Sequence, residues 1–152
     1  MGKIISVISD THGLLREEVK KQLHNSDVII HLGDVGKVGV LNELKGIAPL
    51  FVIKGNVDEG REVLMDLEKE LDIDYEGFRF KLIHNLKELN FDLDNRPDIV
   101  FYGHSHMPYE KLKEEILYIN PGSIGPKRFS LPISFVKILI EGRKCSTLWL
   151  EF

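Results

Sequence analysis

The segment Lys3-Ile4-Ile5-Ser6-Val7-Ile8-Ser9-Asp10-Thr11-His12-Gly13 decides how the chain is read. Its first seven residues form a short β-branched run, the pattern of a buried strand. The next four place a carboxylate and an imidazole two residues apart, with a glycine behind them. Open α/β sheets bind ligands at the rim where strands end in this way. The same ending recurs along the chain.

Leu15 to Leu23 reads as an amphipathic helix, with Leu15, Val19 and Leu23 at four-residue steps. Val28 to Leu32 is a second strand, Val38 to Leu44 a short helix and Leu50 to Ile53 a third strand; Glu62 to Leu67 is read as helical. This βαβαβ order predicts a parallel sheet with right-handed crossovers. The texture then changes: Leu71 to Tyr75 and Phe78 to Ile83, joined by Glu76-Gly77, read as a hairpin. Asp98 to Tyr102 and Ile116 to Ile119 are further strands, and Ile133 to Ile140 with Lys144 to Leu150 close the chain as a hairpin around Glu141-Gly142-Arg143. With no internal repeat and no linker, residues 1–152 are expected to form a single domain of two packed sheets with helices outside.

Composition narrows the function classes. Of 152 residues, 43% are apolar and 29% charged, so a globular fold accounts for every segment without disorder. A net charge of −4 argues against a general nucleic-acid binder. The single Cys145 rules out an intramolecular disulfide framework. No apolar run reaches membrane-spanning length, and Met1-Gly2-Lys3 runs directly into a strand, so a cytoplasmic location with no membrane partner is expected.

The expected strand ends carry Ser9-Asp10-Thr11-His12-Gly13, Gly33-Asp34, Gly55-Asn56-Val57-Asp58, Ile83-His84-Asn85 and Gly103-His104-Ser105-His106. Five ends thus offer Asp10, His12, Asp34, Asn56, His84, His104 and His106, and four of the six histidines lie among them. On extended backbone, residues two apart share a face, so Asp10 with His12, and His104 with His106, are expected to point into one pocket. Carboxylates, an amide and several neutral imidazoles suit a pair of borderline divalent ions such as Mn, Fe or Zn rather than the all-oxygen cage of Ca.

In this order, DTHG, GD, GNVD, a single histidine and GHSH resemble the motifs of the calcineurin-like metallophosphoesterase superfamily. Chain size and the later Asn120-Pro121-Gly122-Ser123 resemble its small YfcE-type phosphodiesterase branch, over roughly residues 3 to 140. The resemblance implies a four-layer αββα sandwich of two mixed sheets, with a dinuclear site at the strand C-terminal rim. Asp10, His12 and His106 would hold one metal, and Asn56, His84 and His104 the other. Asp34 would bridge both. The expected cofactors are two divalent ions, Mn first, with Ni, Fe or Zn as alternatives. A metal pair lowers the pKa of a shared water, and the resulting bridging hydroxide attacks phosphorus in line. The expected activity is hydrolysis of a small phosphodiester. Asn56, Asp34, His84 and Asp58 are the candidate catalytic side chains, and Asn56 and Asn85 the candidate substrate contacts. Asp58 is expected either to fix a histidine or the Asn56 loop, or simply to cap a turn.

Two positions depart from the family pattern. Val57 stands where many members have a histidine as candidate general acid, which favours diesters or activated esters over alkyl monoesters. Asn85 stands where a glycine is usual, and Asn tolerates left-handed backbone. Lys54, Arg61, Lys127 and Arg128 flank the phosphate-side loops, although solvated surface charge is the better reading of each. His31, inside a strand, reads as a core histidine or one that supports a ligand. The same branch also resembles the retromer scaffold subunit, so a non-catalytic scaffold or a nucleotide-binding module is the alternative. Nucleic acid is a disfavoured partner, and a homodimer is compatible with the resemblance.

Overall fold

In the computed structural model, residues 2–59 and 64–152 are described. The first strand, β1 (Lys3–Ile8), is the hub, because its apolar side chains are covered on both faces: Ile5 and Val7 on one side, Ile8 on the other, all fully buried. It pairs in parallel with β2 (Val28–His31), which pairs in parallel with β3 (Leu50–Val52), as the βαβαβ pattern predicts. The closing hairpin, β9 (Ser134–Glu141) and β10 (Lys144–Glu151), adds antiparallel strands on the other side of β1. The first sheet therefore runs β10-β9-β1-β2-β3.

The second sheet runs β4-β5-β6-β8-β7, from β4 (Glu70–Tyr75), β5 (Phe78–Ile83), β6 (Ile99–Phe101), β7 (Tyr109–Lys113) and β8 (Ile116–Asn120). Its inner face meets the first sheet in one apolar layer containing Val7, Ile30, Leu82, Phe101 and Val136. Phe80 packs edge-on against Phe101 in that layer, ring centroids 5.2 Å apart. Because β5, β6 and β8 are mutually parallel, their C-terminal ends leave the sheet on one side.

Helices α1 (Glu17–Leu23) and α2 (Val38–Lys45) cover the outer face of the first sheet through Val19, Leu23, Val40, Leu41 and Leu44. The fourth layer differs from a helical one. The outer face of the second sheet is covered by the segment after β5, where Leu86, Leu89 and Phe91 pack on Ile83, Val100, Tyr102 and Ile116, and whose only helical turns are of the 3-10 kind at Leu86–Glu88 and Leu93–Asn95. Asn90, Asp92, Asp94 and Asn95 crowd the segment, and such short polar side chains favour caps and turns over an α-helix interior. Of the helix expected over residues 62–67, residues 62 and 63 lie outside the described residues, and Leu64–Asp66 form a 3-10 turn.

Strand β7 escaped the sequence reading. Four of its five residues are exposed, so no alternation marks it, and it joins β8 through Glu114-Glu115, both at positive φ, without the Gly or Asn that signals such a turn. Among the described residues, no helix is long and apolar enough to cross a membrane.

Candidate metal centre

Six strand ends meet at one rim, those of β1, β2 and β3 from one sheet and of β5, β6 and β8 from the other. Around it the side chains form two groups, in each of which the donor atoms lie within 4.8 Å of one another: Asp10, His12, Asp34 and His106, and Asp34, His84 and His104. Asp34 belongs to both. Its Oδ2 lies 3.6 Å from His12 Nε2 and 3.2 Å from His84 Nε2. Asp10 Oδ1 faces three imidazoles, at 3.4 Å from His106, 3.8 Å from His12 and 4.0 Å from His84.

The convergence is not achieved by extended backbone, as the two-residue spacing suggests. Asp10, His12, Asp34, His104 and His106 all have positive φ, between 46° and 73°. Left-handed backbone costs a non-glycine residue roughly 1–2 kcal/mol, and strain of this kind concentrates at functional sites. The strand ends therefore curl inward, and each turn aims one side chain at the rim.

Hydrogen bonds fix which atoms remain available. His84 Nδ1 lies 2.7 Å from the Leu32 carbonyl, which can only accept, so Nδ1 carries the proton and the Nε2 lone pair faces Asp34 and Asp10. Neither that Nε2 nor the buried Asp10 Oδ1 has a hydrogen-bond partner. Acceptors crowded against acceptors, buried and unpartnered, are the signature of a site built for cations. Burial alone would lower the His84 pKa, but the Asp34 and Asp10 carboxylates raise it. Burial pushes Asp34 up, yet His84, the Val57 N–H and His12 hold its carboxyl well below the usual range. At His12, burial outweighs the Asp34 and Asp10 carboxylates and lowers the pKa.

The supporting shell is dense. Ser9 Oγ donates to Asp10 Oδ2 (2.6 Å), and the Val57 N–H donates to Asp34 Oδ1 (3.0 Å). Asp58 is fully buried: its carboxylate accepts from the backbone N–H groups of Val35 (3.2 Å), Gly36 (3.0 Å) and Gly55 (2.9 Å), and its charge also acts on His31. Of its expected roles, it thus takes loop fixing, tying the Asp34 turn to the Asn56 turn. Gly55 allows this approach, because a Cβ there would lie 2.1 Å from the Asp34 amide nitrogen.

Sequence reasoning missed the work of Asn120-Pro121-Gly122-Ser123. It follows β8 at the same rim; Asn120 Nδ2 donates to the Gly103 carbonyl (3.1 Å) and Ser105 Oγ (3.0 Å), and Ser123 Oγ donates to the Asp10 carbonyl (3.0 Å). The missing signal is that β8 runs parallel to β6, which no local pattern reveals.

His31 is buried and supports the centre without joining either group. Thr11 Oγ1 donates to the Val35 carbonyl (2.8 Å), so it must accept from His31 Nε2 (3.0 Å), while His31 Nδ1 accepts from the Gly33 N–H (3.1 Å). With both nitrogens committed in the neutral ring, burial lowers the His31 pKa to about 4. Above an unfolded-state pKa near 6.5 the group is neutral in both states; as pH falls from there to about 4, only the unfolded chain takes up the proton. Metal-free protein is therefore expected to lose about 3 kcal/mol through this residue over that window. Denaturant titrations of wild type and His31→Gln at several pH values test it: the variant should lack that part of the slope, and parallel curves would refute it.

Asn56 and Asn85 are brought together, lining with His84, Lys54, Gly55, Glu59, Lys69 and Glu88 a polar groove of about 330 Å³ beside the second donor group. Asn85 does not use left-handed backbone. Its φ of −109° is extended, and its side-chain oxygen accepts from the Lys87 N–H (3.1 Å) to cap the 3-10 turn. Lys54 Nζ lies 3.5 Å from Glu59. Lys127 and Arg128 are exposed, and Arg61 lies outside the described residues.

Residues 4–143 match the family model of the calcineurin-like phosphoesterase superfamily domain. The chain belongs to this superfamily. A probable metallophosphoesterase of Methanothermobacter thermautotrophicus is 30% identical to this phosphoesterase, covering 93% of this chain and 88% of the relative. The phosphodiesterase YfcE of Escherichia coli K12 is 26% identical, over 84% and 82% of the two chains. The structure of a predicted phosphoesterase from Streptococcus pneumoniae superposes with a TM-score of 0.77 at 26% identity, covering 99% of this chain and 90% of that one. Vacuolar protein sorting 29 from Cryptosporidium parvum shares the fold, with a TM-score of 0.79 at 19% identity over 99% and 98%. The phosphoesterase keeps a half-exposed Val57 where many superfamily members were expected to carry histidine, and uses that residue's N–H to hold Asp34.

Proposed function

We propose that the chain is a dinuclear metal-dependent phosphodiesterase of the cytoplasm, acting on small diesters. The observation that carries the reading is Asp34, shared between two donor groups and flanked by the unpartnered Asp10 Oδ1 and His84 Nε2. Asp10, His12 and His106 would hold one ion, Asn56, His84 and His104 the other, and Asp34 both. Two divalent ions held there, Mn first and Ni, Fe or Zn as alternatives, would supply a water acidified to a nucleophile near neutral pH and neutralise charge on the phosphoryl oxygens. The protein contributes placement. Asn56 and Asn85 offer amide donors along the groove for the phosphate and one polar alcohol arm. Asp58 keeps the Asn56 turn in register with Asp34.

With Val57 in place of an acid, the leaving oxygen must depart with little help, and this favours activated or diester substrates. The test is hydrolysis of a chromogenic diester and its matching monoester by metal-stripped protein, then with Mn, Ni or Zn restored. Metal-restored diester cleavage is expected to exceed monoester cleavage by about tenfold or more. Silence with every metal would instead leave the non-catalytic scaffold as the reading.

A further inference from the structure

Strand β10 borders only β9, and from Cys145 to Leu150 it carries no charged side chain. The other sheet edges differ: β7 carries Glu110, Lys111 and Lys113, β4 carries Glu70, Asp72 and Asp74, and β3 is three residues long. Charge and shortness protect a sheet edge from pairing with another chain, and the middle of β10 has neither. The strand is eight residues long and firmly held, since Glu110 Oε1 on β7 accepts from both Thr147 Oγ1 (2.9 Å) and Trp149 Nε1 (2.7 Å). Leu148 is 50% exposed on the opposite face, which it shares with Ser146, Leu139 and Ile4, residues that line a groove of about 620 Å³.

The ladder determines which groups this edge offers. The Phe152 N–H donates to the Ile133 carbonyl (2.8 Å), in register with the β9–β10 pairs from Lys144–Glu141 to Glu151–Ser134. Hydrogen-bonded pairs alternate along an antiparallel ladder, so Lys144, Ser146, Leu148 and Leu150 bond to β9. Cys145, Thr147, Trp149 and Glu151 therefore turn their N–H and C=O groups outward, where no other strand among the described residues meets them.

We infer that β10 pairs antiparallel with β10 of a second copy of this chain, about a two-fold axis at Thr147, joining the first sheets of the two copies into one. A two-fold axis normal to the sheet keeps every side chain on its own face, and the outward groups meet only where odd-numbered residues stand opposite one another. Charge then selects the register. With Thr147 on the axis, the exposed Arg143 stands opposite the exposed Glu151 of the second copy, twice per dimer by symmetry, and Cys145 stands opposite Trp149. An axis at Ser146 would instead set Glu141 against Glu151, and an axis at Leu148 would set Glu151 against Cys145 and leave Arg143 beyond the end of the other chain. Because β10 runs parallel to β1, the axis places the metal rims of the two copies at opposite ends of the joined sheet. The pairing does not rest on the phosphodiesterase reading.

Analytical ultracentrifugation of the full chain up to about 100 µM, where a small interface is populated, tests the pairing. Wild type is expected to sediment as a dimer at the upper end of that range. Leu148→Lys alters a half-exposed side chain beside the axis, brings two like charges together there, and should leave a folded monomer. Arg143→Glu should weaken the dimer about tenfold or more, and combining it with Glu151→Arg should restore the wild-type affinity. Crosslinking reads the register directly. In a Cys145→Ser background, Thr147→Cys should form an intermolecular disulfide on mild oxidation, because residues paired across the axis have Cα atoms about 5.5 Å apart. Leu148→Cys in the same background should not, since the two copies of that residue are offset along the strands. A monomer at every concentration would overturn the proposal, and so would a dimer that survives Leu148→Lys, ignores the charge exchange or fails to crosslink through Thr147→Cys.

Discussion

Asp34→Asn is expected to abolish metal-restored diester hydrolysis, lowering kcat/KM by a factor on the order of 10³ or more, while the protein remains folded. The substitution keeps the volume, and the amide oxygen can still accept from the Val57 N–H, as Oδ1 does now at 3.0 Å. What it removes is the negative charge shared between the two donor groups. The surrounding imidazoles add no charge when neutral, so the loss falls on the carboxylate common to both donor groups. Thermal unfolding provides the control. Wild type should gain stability on adding Mn, because an ion that binds only the folded state shifts the equilibrium by mass action. The variant should show nearly the wild-type midpoint without metal and little or no gain with it. Wild-type turnover in Asp34→Asn would exclude Asp34 from the chemistry, and a collapsed metal-free midpoint would show that the carboxylate serves the fold instead.

The side chains of the site and the backbone that aims them differ in how far the sequence discloses them. Every donor now at the rim was visible as a side chain following an apolar run, because buried parallel strands are strongly patterned. The backbone that aims these donors was not visible. Spacing by two suggested extended chain, whereas the left-handed φ of His12, His104 and their neighbours depends on contacts between loops from different sheets. The same limit hid Asn120 and Ser123, which act on Gly103, Ser105 and Asp10 only because β8 lies parallel to β6. Strand β7 failed for the opposite reason: an exposed edge strand needs no apolar face, so it leaves no period to read.

Asp58 shows how such loop contacts should register in stability. Its buried carboxylate is the acceptor for three backbone N–H groups, two from the turn carrying Asp34 and one from the turn carrying Asn56. Asp58→Ala leaves those donors without a partner in a region closed to solvent, and each buried unsatisfied donor costs about 1–3 kcal/mol. The expected loss is about 3–5 kcal/mol, a large share of the 5–15 kcal/mol that holds a typical domain together. Asp58→Asn should cost less, since it keeps one acceptor oxygen but turns an amide N–H toward a backbone donor. In urea titrations the midpoint should fall with the m-value preserved. Because the same three bonds set the distance between Asp34 and Asn56, the folded fraction of either variant should also bind Mn about 10–100-fold more weakly. Stability within 1 kcal/mol of wild type in Asp58→Ala would mean that water or a neighbouring carbonyl takes over the three donors, and weakened Mn binding with unchanged stability would mean that the carboxylate positions the ligands without holding the fold.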